Sequence, residues 1–394
     1  MSSDVRIGLI GCGHRLCGLA KSLLTDRPGL RVTAVCDPSA EARQRALALA
    51  EPNATEHEDH HALLAADHVD WVMIGSPNAF HREHAVAAME AGKDVFCEKP
   101  LATTMEDCIA MREAHERTGK RFFIGFTLRY SPHYTRLQQL VSDGAIGDII
   151  SMEMNETLQF NHGAFMHQDW RRLRKFGGPF LLEKCCHDID IANWLTGSLA
   201  TRVASFGGRN FFLPENAHHV DRVGPDPRTG GKAFMTFSRE NLKNPFTIDQ
   251  DVIDNQVAIL EFANQVRMTF FLHCSAGQPQ RRSYICGTEG SIDADAVAGE
   301  IRLKRIGWNE PTVLYDTKAT GGHGGSDPVL TDGLAQCMLE GAPERSGLSE
   351  GFKSAVTCLA IDEAMQKGTL VDLRPWWEKL GIETDAPAET AARA

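Results

Sequence analysis

The sequence predicts an α/β chain: a doubly wound parallel sheet in its N-terminal third, then an α+β region built on a large, mostly antiparallel open sheet. Three observations carry this. Short β-branched runs alternate with helical stretches up to residue 126. A glycine turn, Gly11-Cys12-Gly13, joins the first run to the first helix. Beyond residue 126 the apolar runs follow one another through turn residues instead of helices. Alternation implies right-handed βαβ crossovers, whereas consecutive runs imply antiparallel neighbours.

Val5 to Ile10 is the first strand, and Leu16, Leu19, Ala20, Leu23 and Leu24 give the following helix its apolar face. Arg31–Cys36, Val69–Ile74, Val95–Cys97 and Phe122–Phe126 are the next strands, with helices near 39–50, 58–66, 80–91 and 104–118 between them. A helix near 133–143 precedes a long strand-like stretch, Asp148–Leu158. Val252–Phe262, Val266–Cys274, Ser283–Cys286 and Glu300–Ile306 are further strands, and helices are expected near 188–196, 328–340 and 349–366.

A chain of 394 residues exceeds what one core usually organises. The expected division is a cofactor domain over 1–126, an α+β domain over 127–380 and a loose tail over 381–394, where the Ala-rich end lacks an apolar pattern. A formal charge of -11 argues against a phosphate-tracking, nucleic-acid-binding surface. Eleven cysteines, odd in number and scattered along strands and helices, are no disulfide framework and point to a reducing compartment. The opening residues lack a signal-like pattern, and no apolar run approaches the roughly 20 residues of a membrane span. A cytoplasmic protein with no membrane or nucleic-acid partner is expected.

Gly11 and Gly13 permit a tight turn and close backbone approach to a pyrophosphate, with His14 and Arg15 opening the helix whose N–H groups point at it. Leu16 stands where the fingerprint has its third small residue. Asp37 ends the second strand 24 residues after Gly13, the position of a carboxylate that accepts from the adenosine ribose hydroxyls and repels a 2′-phosphate. NAD is therefore favoured over NADP. Ser76, Asn78 and His81 follow the next strand, and Glu98-Lys99-Pro100 closes another, all at the sheet end where such folds bind ligands.

These landmarks, with Gly125-Phe126, Arg129-Tyr130, Gly144-Ala145-Ile146-Gly147, Gly177-Gly178 leading to His187, and Gly287-Thr288-Glu289-Gly290, resemble the glucose-fructose oxidoreductase, inositol dehydrogenase and MocA (Gfo/Idh/MocA) family from Val5 to about residue 375. The resemblance implies a Rossmann domain followed by an α/β domain, NAD as cofactor, a sugar or polyol substrate, and a homodimer or homotetramer formed through the open sheet. It makes Lys99 the lysine that hydrogen-bonds the reacting hydroxyl and His187 the group that moves its proton. Two departures mark a divergent branch. Glu183 replaces the usual aspartate four residues before the histidine, and Lys184 adds a cation where small or apolar residues are common.

Hydride removal from a secondary carbinol needs a proton acceptor and a cation near the oxygen, which suits His187 and Lys99, with Glu183 and Lys184 as further catalytic candidates. Arg129, Tyr130, Trp170, Arg171 and His323 are the expected substrate contacts, the basic run Trp170–Lys175 offering a fork for an anionic group. Cys185-Cys186-His187 and the group His57, His60 and His61 lack metal-site spacing, and no metal is expected. The leading expectation is an NAD-dependent sugar or polyol dehydrogenase. One alternative is a redox-neutral, NAD-dependent glycoside hydrolase that oxidises transiently, eliminates the aglycone and returns the hydride. The other is a cofactor-sensing binding protein, against which the presence of both Lys99 and His187 argues.

Overall fold

The computed structural model describes residues 4–235, 243–320 and 324–384. The chain forms two compact units, Met1–Pro132 with Thr320–Ala355, and His133–Ala319 with Val356–Ala394. In the first, β1 (Val5–Ile10), α1 (His14–Leu24), β2 (Leu30–Cys36), α2 (Ala40–Leu47), β3 (Thr55–His57), α3 (His60–Leu64), β4 (Trp71–Ile74), α4 (His81–Glu90), β5 (Asp94–Cys97), α5 (Met105–Thr118) and β6 (Phe122–Ile124) alternate. The six strands are all parallel, in the order β3-β2-β1-β4-β5-β6. Every residue of β4 and β6 is buried, as strands covered by helices on both faces require. The order reverses between β1 and β4, so the loops that follow them diverge at the carboxyl end of the sheet.

The second unit continues with α6 (Pro132–Ser142), β7 (Ile149–Gln159), α7 (Phe160–Met166), α8 (Arg174–Gly177), α9 (Phe180–Thr196), β8 (Ala200–Gly208), α10 (His219–Val223), β9 (Asn255–Phe262), β10 (Arg267–Ala276), β11 (Arg282–Gly287), β12 (Gly290–Asp295), β13 (Glu300–Arg305) and β14 (Thr312–Asp316). The chain then forms α11 (Ser326–Glu340), α12 (Leu348–Lys367), β15 (Val371–Asp372) and α13 (Arg374–Lys379). Nine strands make one sheet, β14-β13-β12-β11-β7-β10-β9-β8-β15. All its pairings are antiparallel except β7 with β10. In β9 and β10 buried residues alternate with exposed or half-exposed ones, so one sheet face is covered and the other is open.

Two departures from the sequence reading affect the site. Helix α11 packs in the first unit, where Leu330, Leu334, Ala335 and Met338 share a core with Leu16, Leu19 and Leu23 of α1, although its residues fall within 127–380. Helix α9, expected at 188–196, starts eight residues earlier at Phe180, after Pro179, and so includes both Glu183 and His187. Proline directly before the first turn suits a helix start because its missing N–H would be unsatisfied there.

Candidate active site

Position 11 can hold only glycine without rearrangement. Its φ is +81°, and a Cβ there would lie 2.3 Å from the Ser76 backbone nitrogen. Gly13 precedes α1 with no side chain capping the helix, and no atom lies within 4 Å of where its Cβ would point. Open backbone at an uncapped helix N-terminus fits a pyrophosphate. The missing small residue at Leu16 is compensated across the turn: a Cβ at Gly75 would lie 2.7 Å from Leu16 Cβ, so the close helix–strand approach is made there.

The Asp37 carboxylate is fixed at the end of β2 by two backbone donors. Oδ2 accepts from the Cys12 N–H and Oδ1 from the Ser39 N–H, both at 2.8 Å. The neighbouring arginines are already engaged. Arg43 donates to the Asp37 carbonyl, Glu56 and Glu58, and Arg45 to the Cys12 carbonyl and Glu41.

Glu98, 7% exposed, anchors the loop after β5. Its Oε1 accepts from Arg15 Nε at 2.9 Å and its Oε2 from the Lys99 N–H at 3.3 Å. Arg15 also donates to Asp327 at 2.8 Å and Thr127 at 3.1 Å, so its guanidinium braces the lysine loop. Burial alone would lower the Arg15 pKa, but Glu98 and Asp327 outweigh it and raise it. Lys99 is half-buried and joined to Pro100 by a cis peptide bond. The two ring nitrogens of His81 lie 2.7 Å from the Pro100 carbonyl oxygen and 3.0 Å from that of Ser76. That imidazole ties the loop after β4 to the loop after β5. Asn78, three residues before it, is buried, and Ser76 Oγ lies 3.0 Å from His84 Nδ1.

Two expected substrate contacts have partners within the first unit. Tyr130 is 1% exposed and stacks on Phe123 within the apolar core, because its ring fills space between the sheet and α11. Arg129 donates to the Arg345 carbonyl. His323 lies outside the described residues.

In the second unit α9 is buried along its whole length except at Lys184 and Trp194. Glu183 and His187, four residues apart, share a helix face. Arg171 donates from Nε to Glu183 Oε1 at 2.8 Å and from Nη1 to Asp169 Oδ2 at 2.6 Å, with its guanidinium 4.2 Å from the Trp170 ring centre. Burial would lower the Arg171 pKa, but the two carboxylates raise it; burial raises that of Asp169. Arg171, one of the expected substrate contacts, thus engages both Glu183 and the ring of Trp170.

A second ion network behind α9 escaped the sequence reading. Lys184 Nζ lies 3.3 Å from both Glu156 Oε1 and His162 Nε2. Arg281 grips Asp188 with bonds of 2.8 and 2.6 Å and lies 3.3 Å from Glu156. Burial pushes the Glu156 carboxyl up, but Arg281 and Lys184 outweigh it and hold it at about 2. Burial prevails for Asp188, pushing it up to about 6. Glu156, Cys185 and Asp188 bring three potential metal donors together, yet Arg281 and Lys184 already neutralise both carboxylates and burial keeps the thiol protonated. Of this network the sequence singled out Lys184 alone; Asp188 follows His187 directly, while Glu156 in β7 and Arg281 just before β11 are distant in the chain.

Comparison with known proteins places these features in one family. The Gfo/Idh/MocA model described as an oxidoreductase family with an NAD-binding Rossmann fold matches residues 5–126, and its C-terminal alpha/beta domain model matches residues 138–373. The chain belongs to this family. As a Gfo/Idh/MocA protein it is an NAD-binding oxidoreductase. It is 31% identical to an inositol 2-dehydrogenase/D-chiro-inositol 3-dehydrogenase of Lactiplantibacillus plantarum over 94% of this chain and 92% of that protein. An inositol 2-dehydrogenase of Salmonella typhimurium is 35% identical over 48% of this chain and 53% of its own length. A levoglucosan dehydrogenase solved with NADH and L-sorbose shares the fold, with a TM-score of 0.76 and 22% identity over 95% of this chain and 100% of that one. No helix among the described residues is long and apolar enough to cross a membrane.

Proposed function

We propose that this Gfo/Idh/MocA protein oxidises a secondary hydroxyl of a sugar, sugar derivative or cyclic polyol, using NAD in preference to NADP. The observation that carries the cofactor choice is Asp37, whose carboxylate is held by the Cys12 and Ser39 N–H groups where the ribose hydroxyls would lie. A fixed carboxylate accepts from a 2′-hydroxyl and repels a 2′-phosphate. The substrate class is supported by the likeness to the Lactiplantibacillus inositol dehydrogenase over nearly the whole chain.

Gly11, Gly13 and His14 would hold the pyrophosphate, and Ser76, Asn78, His81 and Glu98 would shape the nicotinamide end. The bound nicotinamide supplies a hydride acceptor. His187 takes the hydroxyl proton as the carbinol becomes a carbonyl, and Lys99 stabilises the oxygen while its charge develops. Glu183 faces the substrate on the helix surface it shares with His187. Lys184 supports that surface through Glu156.

The open sheet face suits a second copy of the chain. Phe206, Val257, Ile259 and Phe271 are 73, 46, 62 and 43% exposed on it, and Val257 pairs directly with both Phe206 and Phe271. A contiguous apolar patch of this kind marks an interface, here read as that of a homodimer or homotetramer. All eleven cysteines are thiols, which supports a reducing, cytoplasmic setting.

The deciding experiment follows NADH and released aglycone together with the purified protein, NAD, and a panel of sugars, inositols and aryl glycosides. NADH formed in step with oxidised product is expected. Aglycone released over many turnovers without NADH would instead establish redox-neutral hydrolysis and overturn the dehydrogenase reading.

A further inference from the structure

Arg15 follows the glycine turn into α1, where the sequence places it beside the pyrophosphate, yet its guanidinium joins three other segments of the first unit. Nε donates to Glu98 Oε1 in the loop after β5 at 2.9 Å, Nη2 to Thr127 Oγ1 after β6 at 3.1 Å, and Nη1 to Asp327 Oδ2 in the first turn of α11 at 2.8 Å. Thr127 in turn donates to the Gly125 carbonyl at 3.3 Å, and the Gly125 N–H to the Cys97 carbonyl at 2.8 Å, so the loop after β6 closes back on the end of β5. Glu98 completes the circuit with Oε2, which accepts from the Lys99 N–H at 3.3 Å.

A guanidinium is planar and its N–H groups diverge at fixed angles, so an acceptor that fixes one arm sets the direction of the others. Asp327 can serve as that fixed point because α11 is secured to α1. Leu330, Leu334 and Met338 share a core with Leu16, Leu19 and Leu23, Ser22 Oγ lies 3.0 Å from Thr331 Oγ1, and Arg27 pairs with Asp332. Arg15 and Asp327, 312 residues apart in the chain, therefore ride on two helices fixed to each other. The side chains of Glu98 and Asp327 are 9 and 18% exposed, and hydrogen bonds so enclosed hold their geometry more firmly than bonds open to water.

We propose that Asp327 is a positioning residue for Lys99: through Arg15 and Glu98 it holds the loop that presents the lysine to the reacting oxygen. The C-terminal part of the chain thereby sets the place of a catalytic group that lies in the N-terminal third. The effect falls on the chemical step and not on cofactor affinity, because the chain of bonds ends on the Lys99 backbone. The proposal rests on the reading of Lys99 as the group that stabilises the developing oxygen charge.

Asp327→Asn keeps the shape of the side chain and removes its charge. In that variant kcat should fall about tenfold, since misplacing a reacting group by about an ångström costs up to roughly a hundredfold, while NADH affinity in a fluorescence titration stays within about twofold. Asp327→Glu, which keeps the carboxylate, should retain more of kcat, and Arg15→Lys, whose single ammonium cannot span three diverging acceptors, should lose at least as much as Asp327→Asn. A readout independent of turnover is the acetylation of Lys99 relative to the exposed Lys21, measured by limited acetic anhydride labelling and peptide mass spectrometry. That ratio should rise by about twofold or more in Asp327→Asn and in Arg15→Lys as the half-buried lysine loop loosens. An unchanged labelling ratio overturns the proposal, as does a loss of NADH affinity with kcat retained, which would assign the Arg15 cluster to the cofactor. Full turnover in Lys99→Ala together with a raised labelling ratio in Asp327→Asn would leave the positioning standing and remove the catalytic reading of Lys99 instead.

Discussion

Leu16 Cβ lies 2.7 Å from the point where Gly75 would carry a Cβ, so the first helix and the turn after the fourth strand approach closely at a residue pair that the usual fingerprint does not contain. Gly75→Ala should therefore destabilise the protein by about 1–3 kcal/mol through overpacking. In the double variant Leu16→Gly/Gly75→Ala the loss should be smaller than the sum of the two single losses, because removing the Leu16 Cβ clears the space that the new methyl enters. Urea unfolding of the four proteins measures this coupling, and strict additivity would show that the contact is slack.

Asp37→Ser removes the carboxylate that Cys12 and Ser39 hold. The ratio of kcat/KM for NAD over NADP should fall by about tenfold or more, on the order of one charged hydrogen bond. An unchanged ratio would mean that cofactor choice is made elsewhere.

Lys99→Ala and His187→Ala should each lower kcat by roughly 10²–10⁴-fold, the usual range for a lost proton-transfer or charge-stabilising group. NADH affinity, read by fluorescence titration, should be almost unchanged in both. Turnover that survives either change would displace that residue from the chemistry.

His133 supplies a pH-dependent component of stability. It is 4% exposed, its Nδ1 lies 2.7 Å from Thr317 Oγ1, and burial pushes its pKa down to about 4 from 6.5. The folded value lies below the unfolded one, so this contribution is complete above pH 6.5 and is lost as the pH falls toward 4. The slope approaches 1.4 kcal/mol per pH unit, about one proton taken up on unfolding. His133→Asn should remove that proton from the pH dependence of the urea midpoint between pH 6.5 and 4.5, while the remaining slope from other groups persists.

Phe206→Glu combined with Ile259→Glu places charge in the exposed apolar patch of β8 and β9. Light scattering after size exclusion should show a smaller assembly than the wild type, with the far-ultraviolet circular dichroism unchanged. An assembly of unaltered mass would assign the interface to another surface.

Much of the first unit was legible because its strands are apolar runs buried on both faces and its turns carry glycine where backbone clearance demands it. Strand β3 was not, since Thr55-Glu56-His57 is a short polar edge with no period to read. The start of α9 was hidden for another reason: a helix buried almost all round, its polar Glu183, His187, Asp188 and Asp190 included, has no division into an apolar and a solvated face to read. Lys99 and His187 stood out by chemistry and spacing. The partners of Arg171 and Arg281 did not, because ion pairs depend on which distant residues the fold brings together.

Helix α11 gives the molecule an order of manufacture. Leu16, Leu19 and Leu23 leave the ribosome more than three hundred residues before Leu330 and Leu334, the side chains that complete their shared core. A truncated chain ending at Pro132 would contain all six parallel strands and still present a greasy, unfinished flank to the cell. The nucleotide-binding half is thus among the first parts synthesised and among the last completed, which exposes it to chaperones and proteases for most of translation.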